Sequence, residues 1–458
     1  MRSRDALMIG RAPFAPLIAK ELREILGGRA LWIMLLLICP LIGYSFFEAA
    51  SLYGEASEAA TQSPVVAASL SPLDGILVPT FGAAYVAVTL MFPFVAIRVL
   101  GQEKESGALH LLAQLPYRAS TLIAAKLAAV FAAWALASIP MLSALVVWRL
   151  LGGHLSIPET TNLLGGHALY GLLVGAIALF AAAISESAAT AAIVTLAFTI
   201  GSWVLDFTLA GHPGLADWIA QLSLTQILRS FEQGLLSFGL VAGILTTAAG
   251  LAALAAVWLP PGVPVRSKLI RSAMCIIAVL VGLGASSQIK LSLDVTEDRR
   301  NSFPLADERA LAKLFDPLVV KVHLAPEDPR YADLRRNVLA KLERAMPHVS
   351  IRFFGGRQGV GTGDDAYGEV EYVYGGRSDV SRSTSPREIL PLLYELAGAQ
   401  RPQAEPGADY PGYPLIADAY WSLPWFFGAL PLLVAFAWWR SRRPPRINPS
   451  WCVTEVST

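Results

Sequence analysis

Charge is scarce in this sequence. Of 458 residues only 16% are Asp, Glu, Lys or Arg, against about 25% in an ordinary globular protein, and that shortage argues against a soluble chain. Cysteine is nearly absent. Cys39 and Cys275 lie inside apolar runs and Cys452 in a basic tail, so neither a disulfide framework nor a cysteine metal site is suggested. The six histidines (His110, His154, His167, His212, His323 and His348) form no cluster with ligand spacing. The net charge of +1 gives no reason to expect a nucleic-acid partner. There is no Gly-Lys pair, hence no phosphate-cradling P-loop, and neither a His-Glu-x-x-His helix nor a Gly-x-Ser-x-Gly elbow. These absences point away from an enzyme acting by itself, and from a directly bound nucleotide, metal or cofactor.

What the sequence does have is apolar length. Hydrophobic residues make up 54% of the chain and the mean hydropathy is +0.51. A spanning helix needs roughly 20 mostly apolar residues. Eight stretches meet this, at about 30–49, 76–98, 127–150, 167–185, 189–210, 236–259, 273–290 and 420–439. The expected fold class is a mainly α-helical polytopic membrane protein of about eight transmembrane helices with a small periplasmic α/β domain. The first run follows a long charged leader and lacks a small-residue cleavage site, so it does not read as a cleaved signal peptide.

Basic residues set the expected orientation. Arg2, Arg4, Arg11, Lys20, Arg23 and Arg29 precede the first run. Arg98, Lys104, Arg118 and Lys126 mark the second-to-third connection. Arg266, Lys268 and Arg271 precede the seventh run, and Arg440, Arg442, Arg443 and Arg446 follow the eighth. The intervening loops 50–75 and 151–166 have no Lys or Arg. Both termini are therefore expected in the cytoplasm and 291–418 outside. Trp421, Trp425, Trp438 and Trp439 bracket the last run at interfacial depth.

Ahead of the first run, Ile18, Leu22, Ile25 and Leu26 fall on one helical arc and Lys20, Arg23 and Glu24 on the other. Gly27-Gly28 ends the pattern, which predicts an amphipathic interfacial helix. Leu215 to Leu235 is too polar to cross but keeps apolar residues at helical spacing, predicting a surface or re-entrant helix. Ionisable residues near span ends (Glu48, Arg98, Arg149, Glu186 and Asp206) read as snorkelling groups, Asp206 being the candidate to line a polar cavity. In the soluble part, strands are predicted at 317–324, 349–354 and 369–374, and helices at 331–346 and 386–397, giving the order β-α-β-β-α. Residues 355–363 read as a Gly-rich loop and 401–414 as a Pro-rich linker.

The loop between the second and third runs carries charge followed by a short apolar ridge: Glu103-Lys104-Glu105, Gly107, Leu109, Leu111, Leu112, Leu115-Pro116, then Lys126. This loop closely resembles the E-x-E-x-G-T-x-E-x-L-L…P…K pattern of ABC-2-type permeases, with Ala108 and His110 where that family usually has Thr and Glu. Lys20-Glu21-Leu22-Arg23 resembles the family's elbow helix. Leu222-Ser223 with Ser230, Phe231 and Gly234 looks like the outer segment of the gliding-motility (Gld) and nitrous-oxide-reductase-maturation (Nos) permease subfamily, although Ile227 stands where that subfamily often has His. Asp294 to Phe303, followed by Asp316 to Val322, is similar to the start of the extracytoplasmic domain of Gld-type auxiliary subunits, here much shortened.

The resemblance implies a division into a cytoplasmic leader (1–29), a six-span permease (30–259), a cytoplasmic linker (260–272), an anchor (273–290), a periplasmic auxiliary domain (291–418), a second anchor (420–439) and a cytoplasmic tail (440–458). It further implies a multi-pass protein of the bacterial inner membrane that forms one half of a homodimer. A separate cytoplasmic ABC ATPase, which uses ATP and Mg, would dock on the Glu103–Pro116 loop and the elbow. The expected function is that of the membrane subunit of an ATP-driven exporter. A mechanotransmission complex that drives a periplasmic protein partner without moving substrate, and a sensor or scaffold with no ATPase, remain open.

Overall fold

The computed structural model describes residues 14–112, 114, 117–209, 223–325, 328–353, 367–403 and 410–442. The early leader, Leu115-Pro116, the first part of the predicted 215–235 helix, the Gly-rich loop at 355–363, part of the linker and the basic tail lie outside these residues.

The described residues are mostly helical, and among them seven helices are long and apolar enough to cross a membrane. They mark a multi-pass membrane protein. Four are longer than a bilayer requires: Ala30–Ala60, Leu73–Glu105, Ala119–Leu150 and Ile157–Ile184 have 28 to 33 residues each. At about 1.5 Å per residue they exceed the roughly 30 Å hydrocarbon layer by a turn or more at their ends. The third of these is two segments, Ala119–Ala137 and Ile139–Leu150, broken at Ser138 just before Pro140, because proline cannot supply an amide to the preceding turn. The run expected at 189–210 is the helix Ala188–Leu209, whose described apolar part, Ala188–Val204, is shorter than the others. The remaining crossing helices are Phe238–Trp258, Val265–Ser287 and Ala419–Ser441.

Ile157–Ile184 is the central helix, packed against neighbours over most of its surface. Small residues make this possible. A Cβ on Gly171 would come within 2.2 Å of Trp134, and one on Gly166 within 2.4 Å of Phe231, so each glycine admits an aromatic ring against the backbone. Val265–Ser287 packs on Phe238–Trp258, where Gly250 receives Val279 and Gly282 receives Thr246. Its other side is apolar and open, as a lipid-facing helix must be. The last span lies instead on the first: Phe426 seats against Gly43 and its ring stands 5.7 Å from that of Phe46. The two helices that flank the sheet-bearing segment thus attach to different members of the bundle.

The segment between these two helices holds a four-stranded sheet in the order β4-β3-β5-β6, with β3 Leu318–Val322, β4 Val349–Phe353, β5 Val370–Tyr374 and β6 Arg377–Ser381. β3 and β4 are parallel, joined by the helical segment from Pro329 to Ala345, while β5 pairs antiparallel with both β3 and β6. Alternation decides the layers. Leu318, Val320, Val322, Val370, Tyr372 and Tyr374 are buried beneath Leu334, Val338, Leu342, Ile389 and Leu393. On the opposite face Lys321 pairs with Glu371 across the strands at 3.1 Å. The predicted order β-α-β-β-α therefore lacks one strand. β6 (Arg-Ser-Asp-Val-Ser) is an edge strand without a buried face, so it shows no alternation to read.

A two-stranded ribbon ties this unit to the bundle. β1 Leu235–Ser237 pairs antiparallel with β2 Ser292–Asp294. The Asp294 carboxylate then accepts hydrogen bonds from Thr296 Oγ1 (2.6 Å) and from the amide of Asn301 (3.0 Å). Asn301 donates to Gln233 O at 2.7 Å, Arg300 pairs with Asp298 and with Asp74, and the Glu297 amide donates to Glu159 at 2.8 Å. His154 meets Glu297 at 3.0 Å and stacks on Tyr413, 3.7 Å between centroids. The segment that resembled an auxiliary-domain start is thus the hub of a polar interlock, and Phe303 at its end is buried in the sheet unit's core.

Candidate functional site

At the opposite end of the bundle lies a cluster of charges that the apolar surroundings make costly. The helix Phe14–Gly27 buries Leu17, Glu21 and Ile25, one residue per turn. Its buried stripe is thus centred beside the arc of Ile18, Leu22 and Ile25 read from the sequence, and an acidic residue stands in its middle. Glu21 meets Lys126, which is 1% exposed on the Ala119–Ala137 helix: Nζ lies 2.9 Å from Glu21 Oε2 and 3.1 Å from Val99 O. The same Nζ is 2.7 Å from Oε2 of Glu103, an ion pair without hydrogen-bond alignment. Lys20 closes the set, contacting Glu103, Glu21 and Glu24.

Two buried carboxylates are therefore matched by two ammonium groups, one buried and one at the rim. Burying an ion pair rarely adds net stability, but it makes each member dependent on the others. Burial by itself would lower the Lys20 pKa; the hydrogen bond to Glu103 and the charge of Glu21 outweigh it and hold the ammonium above its ordinary value. Burial pushes the Glu21 carboxyl up, against the opposing pull of Lys126. Glu21, Glu24 and Glu103 stand close enough to share a cation, yet the lysine ammonium groups already meet their charge.

The residues just beyond Glu103 take their places from this cluster. Lys104 donates to the carbonyls of Ala182 (2.7 Å), Ala183 (2.7 Å) and Ser185 (2.9 Å). It caps the end of the central helix, where free carbonyls and the helix dipole favour a cation. Gly107, at φ +73°, turns the chain into the short helix Ala108–Leu112; this left-handed conformation suits glycine. On that helix Leu109 is buried, Leu112 half-buried and Leu111 68% exposed, and Glu105 just before it is also exposed. Pro116 and the side chain of His110 lie outside the described residues.

Of the residues expected to receive a partner, the structure thus leaves Glu105 and Leu111 outward and turns Glu103, Lys104 and Leu109 inward. In the elbow, Glu21 is interior, Lys20 bridges, Leu22 is half-buried and Arg23 is exposed. In the outer segment, Ser223 donates to Ser202 O at 3.2 Å and Phe231 fills the notch at Gly166. Gly234 (φ +75°) lies so close to Thr296 that a Cβ would come within 2.1 Å. Ile227 is buried among apolar neighbours, and Leu222 lies outside the described residues. Sequence reasoning named Lys126 as a basic residue of the second-to-third connection and as the end of a pattern; its burial beside the elbow is visible only in three dimensions. The chain matches no family model, no curated protein and no solved structure.

Proposed function

We propose that this chain is the membrane subunit of an ATP-driven ABC exporter of the ABC-2 type, built from a six-span permease fused to a shortened periplasmic auxiliary unit. One observation carries the reading. The buried Glu21–Lys126–Glu103 cluster clamps the amphipathic elbow to the ends of two crossing helices, and the short Ala108–Leu112 helix projects from that clamp with Leu111 and Glu105 outward. A partner pressing on Leu111 would load the second and third spans and the elbow together. That is what a permease needs from the site where a separate cytoplasmic ATPase delivers force. The reading places both termini in the cytoplasm and the sheet unit in the periplasm of a bacterial inner membrane. It pairs two copies into a homodimer, with ATP and Mg held by the partner.

The interlock at the other end favours a second reading, a mechanotransmission complex. The ribbon β1–β2, the Arg300–Asp74 pair and the Glu297–Glu159 hydrogen bond join the sheet unit to the bundle at several points, so bundle motion would reach a periplasmic protein without any substrate crossing. Co-purification from the native host tests the shared core of both readings. Leu111→Asp with Glu105→Lys changes two outward residues and should abolish recovery of an ATPase while the protein still inserts and melts normally. Undiminished recovery would place docking elsewhere. Reconstitution with that ATPase separates the two readings: cargo moved across the bilayer supports export, and ATP turnover without cargo supports transmission.

A further inference from the structure

At the end of the bundle that carries the charge cluster, a cavity of about 370 Å³ opens where the start of the first span, the end of the second and the start of Ala188–Leu209 come together. Ala30, Phe94 and Ala188 give it apolar walls, and Arg98, Gln102 and Glu105 line it with polar groups. All three polar residues are exposed, so a molecule in the cavity can reach them. They stand in one row, because positions four and three apart share a helix face. Among the described residues, the Arg98 side chain makes one hydrogen bond, from Nε to Gln102 Oε1 at 3.3 Å, and no ion pair; the Glu105 carboxylate makes neither. That bond leaves the outer guanidinium nitrogens and Gln102 Nε2 as donors. It also draws the guanidinium one turn along the helix, toward Glu105, which follows Gln102 by a rise of about 4.5 Å. An uncompensated cation and an uncompensated anion thus face one cavity without meeting each other. In the other direction the row continues as Phe94, Leu90 and Val86, all apolar and all exposed.

We propose that this cavity holds the headgroup of a phospholipid that carries both a phosphate and a primary ammonium, phosphatidylethanolamine being the simplest. The phosphate takes the Arg98 fork, whose geometry suits phosphate oxygens, together with Gln102 Nε2. The short ethanolamine tether then sets the ammonium toward Glu105, where it donates to the carboxylate. The exposed stripe of Phe94, Leu90 and Val86 receives an acyl chain, a contact that a free phosphate compound would leave unused. A choline head has no N–H to give Glu105. A wholly anionic head meets that carboxylate with nothing to balance it. This inference goes beyond the transport reading and needs neither the ATPase nor an assigned sidedness.

Native mass spectrometry of the delipidated full chain tests it, with dioleoyl phosphatidylethanolamine, phosphatidylcholine and phosphatidylglycerol titrated in turn. The chain is used alone, so a partner docked at Leu111 does not enter. The ethanolamine lipid should bind roughly fivefold more tightly than either analogue, as an exposed ion pair at its strongest implies. Glu105→Gln should bring the ethanolamine lipid down to the choline level and leave the choline lipid where it was. Arg98→Gln should weaken all three by a similar factor, because each carries the phosphate. Both side chains are exposed, so both variants should melt with the parent. Equal binding of the three lipids, or tightest binding of phosphatidylglycerol, would overturn the headgroup assignment. An ethanolamine preference that survives Glu105→Gln, or affinities untouched by Arg98→Gln, would overturn the site itself.

Discussion

Replacing Lys126 by Met is the sharpest perturbation of the charge cluster. The methionine chain fills a similar volume, so packing changes little, but the two carboxylates lose the ammonium that lies within 3 Å of both. Glu21 and Glu103 would then share only Lys20, which is 37% exposed along its side chain and also bound to Glu24. Removing one member of a buried ion pair costs about 3–5 kcal/mol, because a charge is left desolvated and uncompensated. With a shift of about 2–4 °C per kcal/mol for a unit of this size, Lys126→Met should melt roughly 6–20 °C below the parent in nanodiscs. The double variant Lys126→Met/Glu21→Gln restores the balance, leaving Glu103 with Lys20. It should recover a coupling energy of about 0.5–3 kcal/mol relative to the sum of the single changes. A Lys126→Met protein melting within about 1 °C of the parent, or single changes that simply add, would refute the claim that these charges form one buried unit.

The far end of the chain offers further tests. Gly234→Ala places a Cβ where Thr296 already stands and strains a left-handed residue. It should cost about 1–3 kcal/mol, read as faster amide exchange in β1 and β2 with little change near Lys126. In the sheet unit, the side-chain hydrogen bond from Arg330, helped by the backbone amide of Arg330 and the hydroxyl of Tyr367, holds the Asp328 carboxyl down to about 2 from its ordinary 3.8. A depressed carboxyl gives stability that is present above the ordinary value and lost as pH falls toward the folded one. Loosening of the Pro329 helix, followed by amide exchange, should therefore set in below about pH 4 and be complete near pH 2; Asp328→Asn should remove that pH dependence.

The parts of this structure legible in sequence are those governed by local periodicity. Apolar length gave the crossing helices, and alternation gave β3, β4 and β5 because one face of each packs against helices. β6 escaped because both its faces are wet. Burial of Glu103 escaped for a different reason: its two lysine partners lie on other helices, Lys20 at a separation of 83 residues, and no window along the chain contains them together. Lys104 likewise looked like a surface charge until the end of the central helix came to meet it. Among the ridge residues, the apolar pattern pointed to Leu109 and Leu111 alike, and only packing distinguishes the buried one from the exposed one. Arg300 and Asp74, 226 residues apart, make the same point for the interlock.

The seating of Phe426 on Gly43 has a consequence for biogenesis. Lys20, Glu21, Glu103 and Lys126 all emerge early from the ribosome, so the clamp can form while the chain is still being made. The face of the first span at Gly43 must wait nearly four hundred residues for its ring. Until then that notch is exposed in the membrane, and any quality-control factor that reads unpaired helix faces would find it there. Arrival of the Phe426 helix removes the signal, so the same contact that holds two helices together also reports that the two have met.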